Sequence, residues 1–196
     1  MAKPDPAAAK KERNKTIRWV VTIFFVTIFV SGTISLISDA VMSVSGIVVA
    51  FAILLVIIFV GIIFDVVGVA VTSADEKPFH SMAARKVPGA QDAIKLLRNA
   101  EKVSSICNDV VGDICGVVSG SASATIAAQI LTKTQFSWPQ VVTLLMSALV
   151  AGSTVGGKAI GKSFAVNSST TIVSSVGRLL YTFRRIPQAF KKRRKK

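Results

Sequence analysis

Three long stretches of this chain carry no charged side chain, and they constrain the fold more than any other feature. The stretches are Trp19–Ser38, Val41–Phe64 and Thr134–Gly157, which are 20, 24 and 24 residues long. About 20 apolar residues in a helix cover the roughly 30 Å hydrocarbon core of a bilayer. A soluble core in a chain of 196 residues has no need of three such runs. The sequence therefore predicts an all-α integral membrane protein.

The apolar segments predict about four membrane-crossing helices. The predicted spans lie at about 17–38, 46–74, 105–131 and 138–157. The second is too long for one straight helix with an ordinary tilt, so we expect a break or a bend near Asp65 and Gly68. Between the second and third spans, 90–102 has the apolar spacing of a short amphipathic helix, which we expect on the cytoplasmic side.

Composition and hydropathy divide the chain into regions. They are a basic cytoplasmic arm at 1–15, an extra N-terminal transmembrane helix at 16–40, a transmembrane domain at 41–186 and a polybasic tail at 187–196. The first apolar run is longer than the core of a secretory signal peptide, which has about 7–15 residues. We therefore expect this helix to be retained as a membrane anchor.

The positions of Lys and Arg indicate the orientation in the membrane. Their numbers in successive segments outside the spans are 6, 0, 6, 1 and 11. Because Lys and Arg concentrate in cytoplasmic loops, we expect both termini and the 65–102 loop in the cytoplasm, at the cell inner or plasma membrane. The orientation in the membrane accounts for the net charge of +14, so no nucleic-acid partner is expected. The polybasic tail is expected to contact anionic lipids of the bilayer.

Several oxygen-bearing side chains lie in or beside the predicted spans. They are Asp65, Asn108, Asp109 and Asp113. A carboxylate near the bilayer centre costs on the order of 2.5–3.5 kcal/mol on insertion scales, so such residues pair, face water or bind a ligand. Carboxylate, amide and carbonyl oxygens suit a hard cation such as Mg²⁺ or Na⁺. Alternatively, these side chains lie at the headgroup boundary and pair with Lys102, Lys158 or Lys162.

Small residues recur every four positions in the third and fourth spans. They are Gly112, Gly116, Gly120 and Ala124 in the third span, and Gly152 and Gly156 in the fourth. Small side chains at this spacing let two helix backbones approach closely. The pattern predicts a helix–helix seam, either within the chain or between two copies of it.

Three segments resemble motifs of the cyclin M/CorC magnesium transporters. Phe64–Val71 is similar to the Phe-Ser-x-x-Glu-x-Ala-Leu signature that ends the family's first helix. Lys86–Asp113 resembles the Gly-Ala turn, the Leu-Leu-Arg-Asn helix and the Ser-rich start of the next span. Gly157–Ala165 is similar to the Gly-Glu-Ile-x-Pro-Lys-Ser-x-Ala motif. The resemblance covers about 46–186.

The resemblance implies a homodimer with a Mg²⁺ site among its helices and a juxtamembrane helix on the cytoplasmic side. The candidate ligands for that ion here are Asp65, Asn108, Asp109, Asp113 and the backbone at Gly157. Two family Glu positions differ, because this chain has Gly68 and Lys158 there. Lys158 is therefore also a candidate internal cation. The regulatory domains of the family are not expected in this chain.

Two functions follow from these residues. The first, which the residues favour, is transport or homeostasis of a divalent cation, with Mg²⁺ as the candidate cofactor. The alternative is a non-transporting structural or regulatory partner of the same fold, which works with a separate membrane or cytoplasmic protein while Lys158 fills the former ion site. An enzyme is not expected, because the sequence offers no nucleophile–base pair and no complete phosphate-binding loop.

Overall fold

A computed structural model of the chain describes residues 6–134 and 138–193, with the side chains of 13–14, 16–134 and 138–185. Residues 1–5 of the predicted arm and 194–196 of the predicted tail lie outside this part. Every regular element among the described residues is helical, which confirms the all-α prediction.

The helices follow one another with short connections. In chain order they are α1 (Pro6–Val44), α2 (Ile47–Ser73), α3 (Lys77–Ala84), α4 (Ala90–Arg98), α5 (Ala100–Ser105), a π-helical segment (Ile106–Gly112), α6 (Asp113–Thr134), α7 (Pro139–Asn167) and α8 (Ser169–Arg193). The π segment joins α5 and α6 into one continuous helical stretch. Among the described residues, four stretches are long and apolar enough to cross a membrane: Thr16–Val44, Ile47–Ser73, Ala100–Thr134 and Pro139–Asn167.

The predicted break near Asp65 and Gly68 is corrected by the structure, in which α2 continues through both residues as one helix of 27 residues. The irregular backbone lies instead in the π segment, which packs against α2. Gly68 provides room for the side chain of Asn108, and α2 stays helical through Gly68. An isolated glycine in a helix can mark either an interruption of the helix or a close packing contact. The sequence pattern alone does not distinguish the two.

Three of the spanning helices extend beyond their predicted ends. α1 continues to Val44, the third stretch begins at Ala100, and α7 continues to Asn167. Apolar patterning marks where the hydrocarbon region lies, whereas backbone hydrogen bonding continues the helix through polar residues beyond it. The longer α7 matters for the site, because it places Lys158 and Lys162 on a spanning helix.

α2 is the central helix of the fold. It packs against α5, the π segment, α6, α7 and α8, whereas α1 contacts mainly α6. One buried apolar cluster lies around Leu54, Ile126 and Met146. A second lies around Phe79 and Val173, where α3, α4 and α8 cap one end of the bundle. Asp65 lies on α2 between the two clusters in sequence.

Candidate functional site

Among the described side chains, Asp65 is the one buried carboxylate, with only 3% of its surface exposed. The buried residues before and after it on α2 are Ala50, Leu54, Ile58, Gly61, Gly68, Ala70 and Val71. Apart from Ala70, these residues and Asp65 follow one another at spacings of three to four residues, which defines one face of the helix. Asp65 occupies a position on this face that is otherwise apolar or glycine. A buried charge needs compensation from nearby groups.

Two lysines of α7 supply that compensation. The Nζ atom of Lys158 lies 4.0 Å from Oδ1 of Asp65, and the Nζ atom of Lys162 lies 4.0 Å from Oδ2. The lysines are four residues apart, so they share one face of the helix. Their side chains differ in exposure, at 23% for Lys158 and 56% for Lys162. Lys158 is therefore the more enclosed partner.

The approach of α7 to α2 depends on glycines that face α2. A Cβ atom on Gly161 would lie 2.7 Å from Cγ2 of Val66, and one on Gly157 would collide with Ile62. On α2, a Cβ atom on Gly61 would lie 2.9 Å from Cβ of Cys115 on α6. These contacts bring the backbones close enough for the lysines to lie beside Asp65.

Asn108 reaches the same region from the π segment. Its Nδ2 donates a hydrogen bond to Oγ of Ser104 at 3.1 Å, and its amide packs directly on Gly68, one turn beyond Asp65. A Cβ atom on Gly68 would lie 2.8 Å from Cγ of Asn108. Among the described residues, neither Oδ1 of Asn108 nor Oδ2 of Asp65 has a hydrogen-bond donor.

The other two predicted ligands lie elsewhere. Asp109 is exposed and accepts a hydrogen bond from Oγ of Ser105 at 2.7 Å, and Asp113 is also exposed. The structure thus brings together Asp65, Asn108 and Lys158 but leaves Asp109 and Asp113 on another side of the helix. Within the described ranges, no three His, Cys, Asp or Glu side chains are placed to hold one metal ion.

Among the glycines predicted as site or packing residues, Gly112 and Gly157 are the two that contact a neighbouring helix. A Cβ atom on Gly112 would lie 3.4 Å from Nζ of Lys158, and Gly157 faces Ile62. By contrast, a Cβ atom on Gly116, Gly120, Gly152 or Gly156 would meet nothing within 4 Å, and Ala124 is exposed. The internal seam therefore does not use most of the predicted small residues.

The sequence patterns did not identify Gly61 and Gly161 as packing positions. Their signal was nonetheless present, because Gly61, Asp65 and Gly68 have helical spacing on α2, as Gly157 and Gly161 have on α7. From the sequence, Lys162 is a candidate only for pairing with the polar side chains at the headgroup boundary, together with Lys102 and Lys158. The structure places both Lys158 and Lys162 beside Asp65.

Comparisons of the chain with profiles of known families, with curated proteins and with solved structures find no match. The resemblance to the cyclin M/CorC transporters therefore stays a prediction that rests on the motif residues. Fold and site together define a class: a helical protein with four potential membrane spans and a buried carboxylate flanked by two lysines.

Proposed function

We propose that this chain is a non-transporting membrane protein that acts as a structural or regulatory partner. The observation that carries the proposal is the position of Lys158, whose Nζ lies 4.0 Å from Oδ1 of the buried Asp65. In the family that the sequence resembles, the residue at this motif position is an acidic Glu. Here a tethered ammonium group supplies the positive charge that a bound cation would otherwise supply.

The donor set fits Mg²⁺ poorly. Mg²⁺ requires near-octahedral oxygen ligands at about 2.0–2.1 Å, whereas a lysine ammonium has three donors and no acceptor. Two unit charges about 4 Å apart interact by on the order of 4 kcal/mol at an effective dielectric constant of 20. A divalent ion at that distance from Lys158 would meet roughly twice that repulsion.

A fixed cation has a structural consequence. An exchangeable ion lets a pair of helices change their arrangement when the ion binds or leaves, whereas Lys158 is covalently part of α7 and stays beside α2. We therefore expect α2 and α7 to keep one arrangement whatever the ion concentration. This property suits a scaffold that presents its exposed faces to a second copy, to another protein or to anionic lipids.

A second candidate function is transport of a divalent cation, and one observation favours it. Oδ2 of Asp65 and Oδ1 of Asn108 are buried oxygens without a hydrogen-bond donor among the described residues. Both are oxygen ligands of the kind that a hard cation binds. The two candidates differ in what Mg²⁺ should do to the purified protein.

The decisive experiment is a Mg²⁺ titration of thermal stability in detergent, with wild type, Lys158→Glu and Asp65→Ala in parallel. A ligand that binds only the folded state stabilises it by RT ln(1 + [L]/Kd), about 2.7 kcal/mol at 100 times Kd. We expect no saturable shift in wild type and a saturable shift in Lys158→Glu, because this variant replaces the ammonium with a carboxylate. Ca²⁺ and Na⁺ titrations test ion selectivity.

Lys162→Glu is the matched control, because Lys162 lies on the same face of α7 at the same distance from Asp65 but is more exposed. It should gain much less Mg²⁺ stabilisation than Lys158→Glu. A saturable Mg²⁺ shift in wild type that disappears in Asp65→Ala would overturn the proposal and favour transport. Flux measurements in liposomes would then follow.

A further inference from the structure

We propose that a basic cleft between α4 and α8 binds the phosphate group of an anionic lipid. The cleft has a volume of about 420 Å³, and four of its lining side chains are the cations Lys86, Lys95, Arg184 and Arg185. Small-molecule sites have volumes of about 300–1,000 Å³. The proposal goes beyond the proposed function and does not depend on the Asp65–Lys158 pair.

The cations of the cleft are only partly neutralised. Asp92 is the acidic residue in its lining, and Oδ1 of Asp92 lies 3.3 Å from Nζ of Lys95 and 3.4 Å from Nη1 of Arg184. Within the described part of the chain, Lys86 and Arg185 have no acidic partner at salt-bridge distance. The cleft therefore has surplus positive charge, which favours an anionic ligand.

The two walls of the cleft are joined by a contact between backbones. Gly89 directly precedes α4 with a φ of +87°, and a Cβ atom on it would lie 2.6 Å from Cα of Arg178 on α8. A Cβ atom on Gly177 would in turn lie 2.7 Å from the carbonyl oxygen of Gly89. Glycine is needed at both positions, at Gly89 also for its left-handed backbone. The contact holds the cations of α4 and α8 at a set separation.

The chemistry of the cleft suits a phosphate. Arginine presents a planar fork of donors that matches phosphate oxygens, and lysine adds a compact charge. The guanidinium of Arg185 lies 6.0 Å from the ring centroid of Tyr181, which lines the same cleft. This cation–π contact restricts the Arg185 side chain before any ligand binds.

Exposed apolar side chains of α8 favour a lipid as the source of the phosphate. Leu179, Leu180 and Phe183 of α8 are 56%, 43% and 62% exposed. Helical spacing places Leu180 beside the face that presents Tyr181 and Arg184, and it places Leu179 and Phe183 toward the opposite face of α8. A helix with basic residues on one face and apolar residues on the other lies in the interface between headgroups and acyl chains. The apolar residues would contact acyl chains while the cleft holds the headgroup.

The test is calorimetric titration of the full-length protein in neutral detergent with dioctanoyl phosphatidic acid. Dioctanoyl phosphatidylcholine and glycerol 3-phosphate serve as the zwitterionic lipid and soluble phosphate arms. We expect saturable one-to-one binding of phosphatidic acid, and about thirtyfold weaker binding in the Lys86→Gln/Arg185→Gln double variant, from two lost charge contacts.

The matched control is Lys77→Gln/Lys102→Gln, which removes two exposed charges outside the cleft. It should bind phosphatidic acid as wild type does. Equal weakening in both double variants would show diffuse charge attraction and overturn the proposal, as would the absence of saturable binding. Equal affinity for glycerol 3-phosphate would overturn the lipid assignment, because the acyl chains would then contribute nothing.

Discussion

Gly68 is the residue on which the geometry beside Asp65 depends most directly. The family signature that the sequence resembles has Glu at this position. In this chain the amide of Asn108 packs on Gly68 in the space that a side chain would need. The absence of a side chain at Gly68 and the inward position of Asn108 are therefore parts of one arrangement. Neither Gly68 nor Asn108 alone accounts for this packing arrangement.

We predict that Gly68→Ala lowers the melting temperature in detergent, because the new methyl group would collide with Asn108. Gly116→Ala is the matched control, since a Cβ atom there meets nothing within 4 Å. Alanine improves helix propensity by roughly 0.5–1 kcal/mol over glycine, so this control should be as stable as wild type or more stable. Adding Asn108→Ala should rescue Gly68→Ala, whereas a Gly68→Ala variant as stable as wild type would contradict the packing described.

At the scale of elements, helical spacing in the sequence does not reveal the π segment or the α4–α8 contact. The π segment contains Ile106–Gly112 and joins α5 to α6. A π turn contains more residues than an α turn and so changes which side chains face a neighbour. It directs Asn108 toward α2, while Asp109 stays exposed. Adjacent residues point to different sides of a helix, so only Asn108 of this pair reaches the region of Asp65.

We predict that Gly177→Ala loosens α8 from α4, because the added Cβ would lie 2.7 Å from the carbonyl oxygen of Gly89 and 2.9 Å from Cβ of Ala93. Hydrogen exchange of the purified protein should show faster exchange of α8 amides, with exchange in α2 and α6 unchanged. Gly152→Ala on α7 should leave α8 as in wild type, because Gly152 faces open space. Unchanged protection of α8 in Gly177→Ala would exclude a tight backbone contact.

At the scale of the whole molecule, the charged site lies toward the end of α2 that is capped by α3, α4 and α8. The distribution of Lys and Arg predicts that this end faces the cytoplasm. The homodimer also stays a prediction at this scale. Gly120 and Ala124 remain exposed on α6 together with Asp113, so this face is open to a second copy.

The orientation is tested by labelling single cysteines in intact cells after Cys107 and Cys115, both free thiols, are replaced by serine. Ser43→Cys near the end of α1 and Ser81→Cys on α3 both place the probe at an exposed position. We expect an impermeant maleimide to label Ser43→Cys directly and Ser81→Cys only after permeabilisation. The reverse pattern would place the termini outside.

The number of spans and the all-α class could be predicted from the sequence, because the length of an apolar run is a local property and the bilayer thickness is constant. Recognising the uncharged runs at Trp19–Ser38 and Val41–Phe64 as spans requires no knowledge of which helices pack beside them. The importance of Asp65 was also visible, since a lone carboxylate in an apolar segment must have a partner.

Only the tertiary structure decided which groups surround Asp65. Lys158, Asp109 and Asp113 were all candidate neighbours by depth, and the rotation of each helix about its axis selects among them. That rotation follows from close contacts such as Gly161 with Val66 and Gly68 with Asn108, which join residues far apart in the chain. The exposed placement of Gly120 and Gly152 has the same cause, because spacing defines a face of a helix and packing decides what covers it.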